Sequence, residues 1–186
     1  GLTNGVATTF TVTATNAANL TSVASTASSP ITPATLPGAP TVGSATSTGS
    51  TTASLAFTAP ANNGGSTIET YTVTASPGGQ TATGTSSPIT VSGLSPGTSY
   101  TFSVSASNAA GTGSASSASN QITTNAVAPS APTAITATAG NSSATISFTA
   151  PANNGGSTIE TYTVTASPGG QTATGTSSPI TISGLT

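Results

Sequence analysis

The residues from Phe57 to Leu94 return in the same order from Phe148 to Leu185, and the one change is Val91 to Ile182. An internal repeat constrains a chain more than any local propensity does, because each copy must reach the same fold beside the same kind of neighbour. The shift is constant along the copy: Glu69 falls at Glu160, and Tyr71 at Tyr162. A period of about ninety residues is too long for a solenoid rung or a propeller blade, and it is the size of one small β-sandwich. The chain therefore reads as an array of near-identical beads.

The bead itself reads as all-β. Ala53, Leu55 and Phe57 alternate with polar residues, as do Tyr71, Val73 and Ala75, and then Phe102, Val104 and Ala106. Alternation with a period of two marks half-buried strands. A first edge strand is expected near residues 41–47, a short one at 80–84, another around Ile89 to Val91, and a last one near 120–124. The turn signals between them are Asn62-Asn63-Gly64-Gly65, Pro77-Gly78-Gly79 and Pro96-Gly97, which favour loops and tolerate positive φ. About seven short strands at even spacing are the pattern of a two-sheet antiparallel sandwich.

Three segments follow: residues 1–35 carry the last strands of a partial bead, 36–126 a complete bead, and 127–186 the first strands of another partial bead. In the first segment, Phe10, Val12 and Ala14 repeat the alternation of Phe102, Val104 and Ala106. A Ser/Ala/Thr-rich final strand is expected after it, ending near Ile31. Pro33, Pro37 and Pro40, and then Pro129 and Pro132, punctuate the joins, which reads as short semi-rigid hinges. In the last segment Ile146, Phe148, Ile159, Tyr162, Val164, Ile180, Ile182 and Leu185 are the expected core positions, with the final two strands missing. Gly184-Leu185-Thr186 repeats Gly1-Leu2-Thr3, so one copy's tail and the next copy's head make one whole bead. Two arrangements fit: a window on a longer continuous array, which the overlap favours, or separate chains that complete each other by strand donation.

The stretch from Gly93 to Gly111 resembles the fibronectin type III signature, with Leu94, Pro96-Gly97, Tyr100, the alternating strand residues, Ala106, Asn108 and Gly111 in that family's order. The resemblance covers essentially the whole chain. It implies tandem immunoglobulin-like sandwiches, with Tyr100 as the tyrosine corner whose hydroxyl is tied to nearby backbone. Phe57 and Phe148 stand where the family usually has tryptophan, and Thr8 replaces the corner tyrosine in the first segment. No Arg-Gly-Asp motif is present, so integrin binding does not carry over.

Composition then excludes most chemistry. The 186 residues include no Lys, Arg, His or Cys, and the only carboxylate side chains are Glu69 and Glu160. No metal site is expected, because zinc, iron and copper need ligand sets this chain lacks, and calcium wants several oxygens with more than one carboxylate. No catalytic residue is expected either: no base is available to activate a serine, and a single Glu per bead makes no acid/base pair. No cofactor is implied. Without cations to neutralise phosphates, nucleic acid is not an expected partner. No apolar run is long enough to span a bilayer, and no signal peptide lies in this window. Glu69 and Glu160 read as exposed strand-edge charges that resist edge pairing.

About two residues in five are Ser or Thr. Asn19-Leu20-Thr21 and Asn141-Ser142-Ser143 match the N-glycosylation acceptor, so Asn19 and Asn141 are the candidate modification sites, and hydroxyl clusters such as Thr81 to Ser87 are candidates for O-linked sugar. Attached glycans would keep a nearly uncharged surface in solution. The expected function is that of a non-enzymatic structural repeat protein, extracellular or at a cell surface. It would form a fibre, filament or stalk by association with neighbouring copies. The second reading is an adhesin, or a carbohydrate-binding or spacer module of a larger surface protein.

Overall fold

The computed structural model describes residues 1–186 and contains thirteen strands and no helix. The chain divides into two compact units: Gly1–Thr46, Ala53–Ser92 and Tyr100–Ile122 make the first, and Ser47–Thr52, Gly93–Ser99 and Thr123–Thr186 the second.

Eight strands give the first unit its body. They are β1 (Thr41–Ser47), β2 (Thr52–Thr58), β3 (Thr70–Ser76), β4 (Thr81–Gly84), β5 (Ile89–Ser92), β6 (Ser99–Asn108), β7 (Gly111–Thr112) and β8 (Ile122–Thr123). One sheet runs β1-β2-β5; the other runs β4-β3-β6-β7, with β8 also on β6. In the second sheet β3 and β6 are antiparallel, with Tyr71 opposite Ala106, Val73 opposite Val104 and Ala75 opposite Phe102. Alternation puts one side of each strand inward, so Leu55, Val73, Val91, Phe102 and Val104 are all fully buried. The two sheets meet face to face at Phe57 of β2 and Tyr71 of β3, whose rings lie 4.8 Å apart. Tyr100 is buried too, and its ring lies 6.3 Å from that of Phe102.

The first-segment residues fold back on themselves as a hairpin-like arm without regular strands. Thr8 bridges Ile31 and Thr15 bridges Thr21, both antiparallel. Between these bridges the expected half-buried strand is instead exposed: Phe10 is 44% and Val12 72% accessible, because no sheet lies beneath them.

The expected Ser/Ala/Thr-rich final strand of the first segment is also not a regular strand, whereas the last strand expected near 120–124 is present as the short β8. Ser22, Ser25 and Ser28 donate their N–H groups to the carbonyls of Ala14, Val12 and Phe10 at 2.8 to 2.9 Å. The hydroxyls of the same serines accept from the N–H groups of Ala14, Val12 and Phe10 at 3.0 to 3.1 Å. Gly113, Ser116 and Ser119 meet Ala106, Val104 and Phe102 in the same way, with Ser116 and Ser119 accepting through Oγ at 3.0 Å. The outer segment thus advances three residues for each two of its partner, where a strand would advance two. A hydroxyl replaces the backbone carbonyl as acceptor, which lets the edge be satisfied without presenting a ladder of its own.

The second unit repeats the first half of the bead with β9 (Thr133–Gly140), β10 (Ser143–Thr149), β11 (Tyr162–Thr165), β12 (Thr172–Gly175) and β13 (Ile180–Ser183). Its sheets run β13-β10-β9 and β11-β12. Tyr162 lies opposite Gly175 as Tyr71 lies opposite Gly84. Phe148 and Tyr162 stack at 4.7 Å, as Phe57 and Tyr71 do. Ile180 and Ile182 are buried, whereas Phe148, Tyr162 and Val164 are half-buried and Ile135 is 67% accessible.

Candidate functional site

Two features stand out: a repeated joint and an open apolar face.

The joint forms where a proline-rich linker passes the Asn-Asn-Gly-Gly loop of the bead it enters. In the first unit Thr35 donates its N–H to the Gly64 carbonyl at 2.8 Å, and Gly38 donates to Asn62 at 2.8 Å. The second unit has the same pair: Val127 to Gly155 and Ser130 to Asn153, both at 2.9 Å. The loop is preset by its own side chains, since Asn62 and Asn63 accept from the N–H groups of Gly64 and Gly65 through Oδ1, as Asn153 and Asn154 do for Gly155 and Gly156. The joins are therefore bonded along their backbone, which fixes them beyond what a proline-stiffened hinge would.

A second contact completes each joint. The turn Asn4-Gly5 lies on Gly65, and the turn Pro96-Gly97 lies on Gly156. All four glycines have positive φ; a methyl group on Gly65, Gly97 or Gly156 would run into the partner turn's backbone, and one on Gly5 would press on Gly65 at 3.1 Å. Only Gly permits both the conformation and the approach. Gly5 also donates to the Pro33 carbonyl at 2.9 Å, and Gly97 to that of Asn125 at 3.4 Å. The spacing of these residues carries the signal in the sequence, but four glycines among 21 cannot be singled out without the tertiary contact.

Asn108 ties the first-unit joint to the sandwich. It is buried, and its amide nitrogen donates to the Thr35 carbonyl at 2.9 Å and the Asn63 carbonyl at 2.7 Å. Its Oδ1 accepts from the Ala110 N–H at 2.9 Å. Asn108→Ala leaves these buried groups without partners, which costs about 2 kcal/mol in all. A thermal melt is expected to show a lower midpoint, and Asn108→Asp is expected to restore the Ala110 bond alone.

The open face lies in the second unit. A groove of about 460 Å³ is lined by Ile135, Ile146, Phe148, Ile159, Tyr162 and Val164, among others. In the first unit the equivalent positions Leu55, Phe57, Tyr71 and Val73 are covered by β6.

The other candidate residues stand apart from both features. Glu69 and Glu160 are exposed, and Glu69 spends its N–H on the Ser107 carbonyl at 2.8 Å. Asn19 is exposed in the turn where the arm folds back, with φ of 60°. Asn141 is exposed in the two-residue turn between β9 and β10. No helix is long and apolar enough to cross a membrane.

Residues 38–122 match the family model described as the fibronectin type III domain. They form a fibronectin type III domain. The fibronectin type III frame accounts for the two-sheet order, β1-β2-β5 against β4-β3-β6-β7, and for the tyrosine and leucine positions read from the sequence. Among solved structures, the chicken CNTN1 FN1-FN3 domains are 20% identical over 78% of this chain and 52% of that one, with a TM-score of 0.50. Domains A168-A170 from titin are 28% identical over 50% of this chain and 33% of that one, with a TM-score of 0.45. The twitchin kinase region from C. elegans is 23% identical over 48% of this chain and 17% of that one, with a TM-score of 0.44. The chain thus spans at most about half the length of these structures. No curated protein sequence matches it. Fibronectin type III domains are generally structural or adhesive modules without catalysis, and this one is read in that light.

Proposed function

We propose that this protein is a non-enzymatic extracellular structural repeat protein whose beads assemble into a fibre, filament or surface stalk. The observation that carries the reading is the joint. The same two linker-to-loop hydrogen bonds and the same glycine-on-glycine contact form at both junctions; the loop residues and the turn glycines are duplicated, while the linker donors change from Thr35 and Gly38 to Val127 and Ser130 and give only their backbone N–H groups. A device built once per bead propagates along any number of beads. The contacts are backbone hydrogen bonds and close packing, and no salt bridge between a basic side chain and a carboxylate is available to them.

Electron microscopy of the native material tests this. Filaments with density continuous from bead to bead and an axial repeat set by the bead support the reading; dispersed short rods overturn it and favour a spacer or adhesin. Assembly held by uncharged contacts is also expected to resist salt. The sedimenting fraction is expected to change by less than about twofold between about 0.05 and about 1 M salt, since screening acts on charges and leaves backbone hydrogen bonds and packing in place. Dissolution by salt alone would contradict the uncharged joint.

A further inference from the structure

We propose that Asn63 is a site of spontaneous deamidation whose peptide bond to Gly64 is clamped by Asn62 and Asn108, so that its side-chain amide is lost only from joints that have opened. Only the folded bead is needed, so this site stands whether or not the beads form a fibre.

Asparagine followed by glycine is the pair most given to this reaction, because glycine has no side chain to hinder its own nitrogen and its backbone turns freely. The chain holds three such pairs, Asn4-Gly5, Asn63-Gly64 and Asn154-Gly155, and all three lie in the joints. In the reaction the Gly64 nitrogen gives its proton to a base from solvent and attacks Cγ of Asn63. The new C–N bond closes a succinimide ring, and the side-chain nitrogen takes a proton from water and leaves as ammonia. A water molecule then opens the ring at Cγ, which gives aspartate, or at the main-chain carbonyl, which gives isoaspartate. The sum is amide and water to acid and ammonia, and nothing is oxidised or reduced.

The joint opposes each of these steps. The Gly64 N–H donates to Oδ1 of Asn62 at 2.8 Å, so giving its proton to solvent forfeits that bond. Gly64 is also buried, which keeps base from its nitrogen. The Asn63 carbonyl accepts from the amide nitrogen of Asn108 at 2.7 Å. The peptide plane between Asn63 and Gly64 is thus held at both ends. Oδ1 of Asn63 accepts from the Gly65 N–H at 3.0 Å, one residue past the nitrogen that would attack. Ring closure needs the side chain to swing back and the peptide to turn, and both motions break bonds that the closed joint makes.

The second unit repeats the loop side of the clamp. Gly155 is buried, its N–H donates to Oδ1 of Asn153 at 2.8 Å, and Oδ1 of Asn154 accepts from Gly156 at 3.0 Å. Gly5 gives its N–H to the Pro33 carbonyl at 2.9 Å. Each of the three glycine nitrogens is therefore engaged while its joint is closed.

Reaction at an opened joint is not reversed by closing it. Isoaspartate routes the main chain through Cβ and Cγ, so the loop grows by one backbone atom and the Gly64 carbonyl is carried away from the Thr35 N–H that it accepts. Each event also adds a carboxylate to a chain that has only Glu69 and Glu160, and so places charge in a contact that otherwise has none.

The full chain is incubated in mildly alkaline buffer, native and in guanidinium chloride, and then cut by a glutamate-specific protease. Cleavage after Glu69 and Glu160 puts Asn63 and Asn154 on separate peptides, and tandem mass spectrometry assigns the amide-to-acid mass change to a residue. Asn63 is expected to react at least about tenfold faster in denaturant than in the native chain, because no opening step then precedes the chemistry. In native Asn62→Ala the rate at Asn63 is expected to rise about fivefold, the effect of one lost hydrogen bond on a local opening, with Asn154 of the same molecule unchanged. Asn62→Asp keeps an acceptor for the Gly64 N–H and is expected to stay within about twofold of the wild-type rate. Asn108→Ala is expected to raise the rate as Asn62→Ala does, and a melt of each variant confirms that the domain is folded. Equal rates at Asn63 in the native and denatured wild-type chain would overturn the clamp, and no reaction there in denaturant would overturn the site. An Asn62→Ala rate equal to wild type, or one that rises as much at Asn154, would overturn the assignment to Asn62.

Discussion

Replacing Phe102 by alanine is expected to lower the stability of the fibronectin type III domain by about 3–5 kcal/mol, the usual cost of emptying a packed aromatic site. Phe102 is 1% accessible, lies opposite Ala75 and has the Tyr100 ring 6.3 Å from its own. The remaining shell cannot collapse into the space, because Val73, Leu55 and Val91 are already packed on the other sides of the core. Small domains are stable by only about 5–15 kcal/mol, so the melting midpoint is expected to fall by at least about 15 °C. Phe10→Ala is the control within the same chain. It removes the same side chain from the same motif, but Phe10 is 44% accessible, and the effect on the melt is expected to stay within about 0.5 kcal/mol. Calorimetry of both variants checks the pair. Equal losses would mean that Phe10 is buried in the isolated chain and that the exposed arm is wrong.

Gly64→Ala is expected to open the joint in the first unit. Gly64 has φ of 74°, and its carbonyl accepts the Thr35 N–H at 2.8 Å. A methyl group there would overlap the Thr35 carbonyl, which itself accepts from Asn108. The left-handed conformation costs alanine about 1–2 kcal/mol, and displacing the linker forfeits at least one hydrogen bond, about 1 kcal/mol more. Gly79→Ala separates the two effects. Gly79 has φ of 70°, but nothing lies within 4 Å of where its methyl would sit. Both variants are expected to lose the strain energy, whereas only Gly64→Ala is expected to expose the Thr35 and Gly38 amides. Hydrogen exchange at those two amides reads this directly. Retained protection in Gly64→Ala would mean that the linker is held by something other than the loop.

The strands were legible because their side chains alternate. β1 lies at Thr41–Ser47 as expected, and β2, β3, β4 and β6 fall within one or two residues of the expected spans. Their inward residues, from Leu55 to Ala106, are the buried ones. Alternation is a local property, so one sequence suffices to read it. The outer segment ending near Ile31 was misread for the same reason. Ser22, Ser25 and Ser28 stand three apart, and so do Ser116 and Ser119, a period that belongs to neither strand nor helix. It makes sense only once a partner strand supplies the N–H groups that those hydroxyls accept.

By itself, then, the sequence determined the bead, most of its strands and its inward face, because these depend on residue type and short-range order. The exposed arm, the serine-closed edge and the glycine contacts were decided only by tertiary structure. Phe10 and Phe102 sit in nearly the same local sequence, yet one is exposed and the other buried. Gly64 and Gly79 have nearly the same φ, yet one meets the linker and the other meets nothing. In each pair the difference is a partner distant in the chain, and the free energy of burial or close approach exists only when that partner is present.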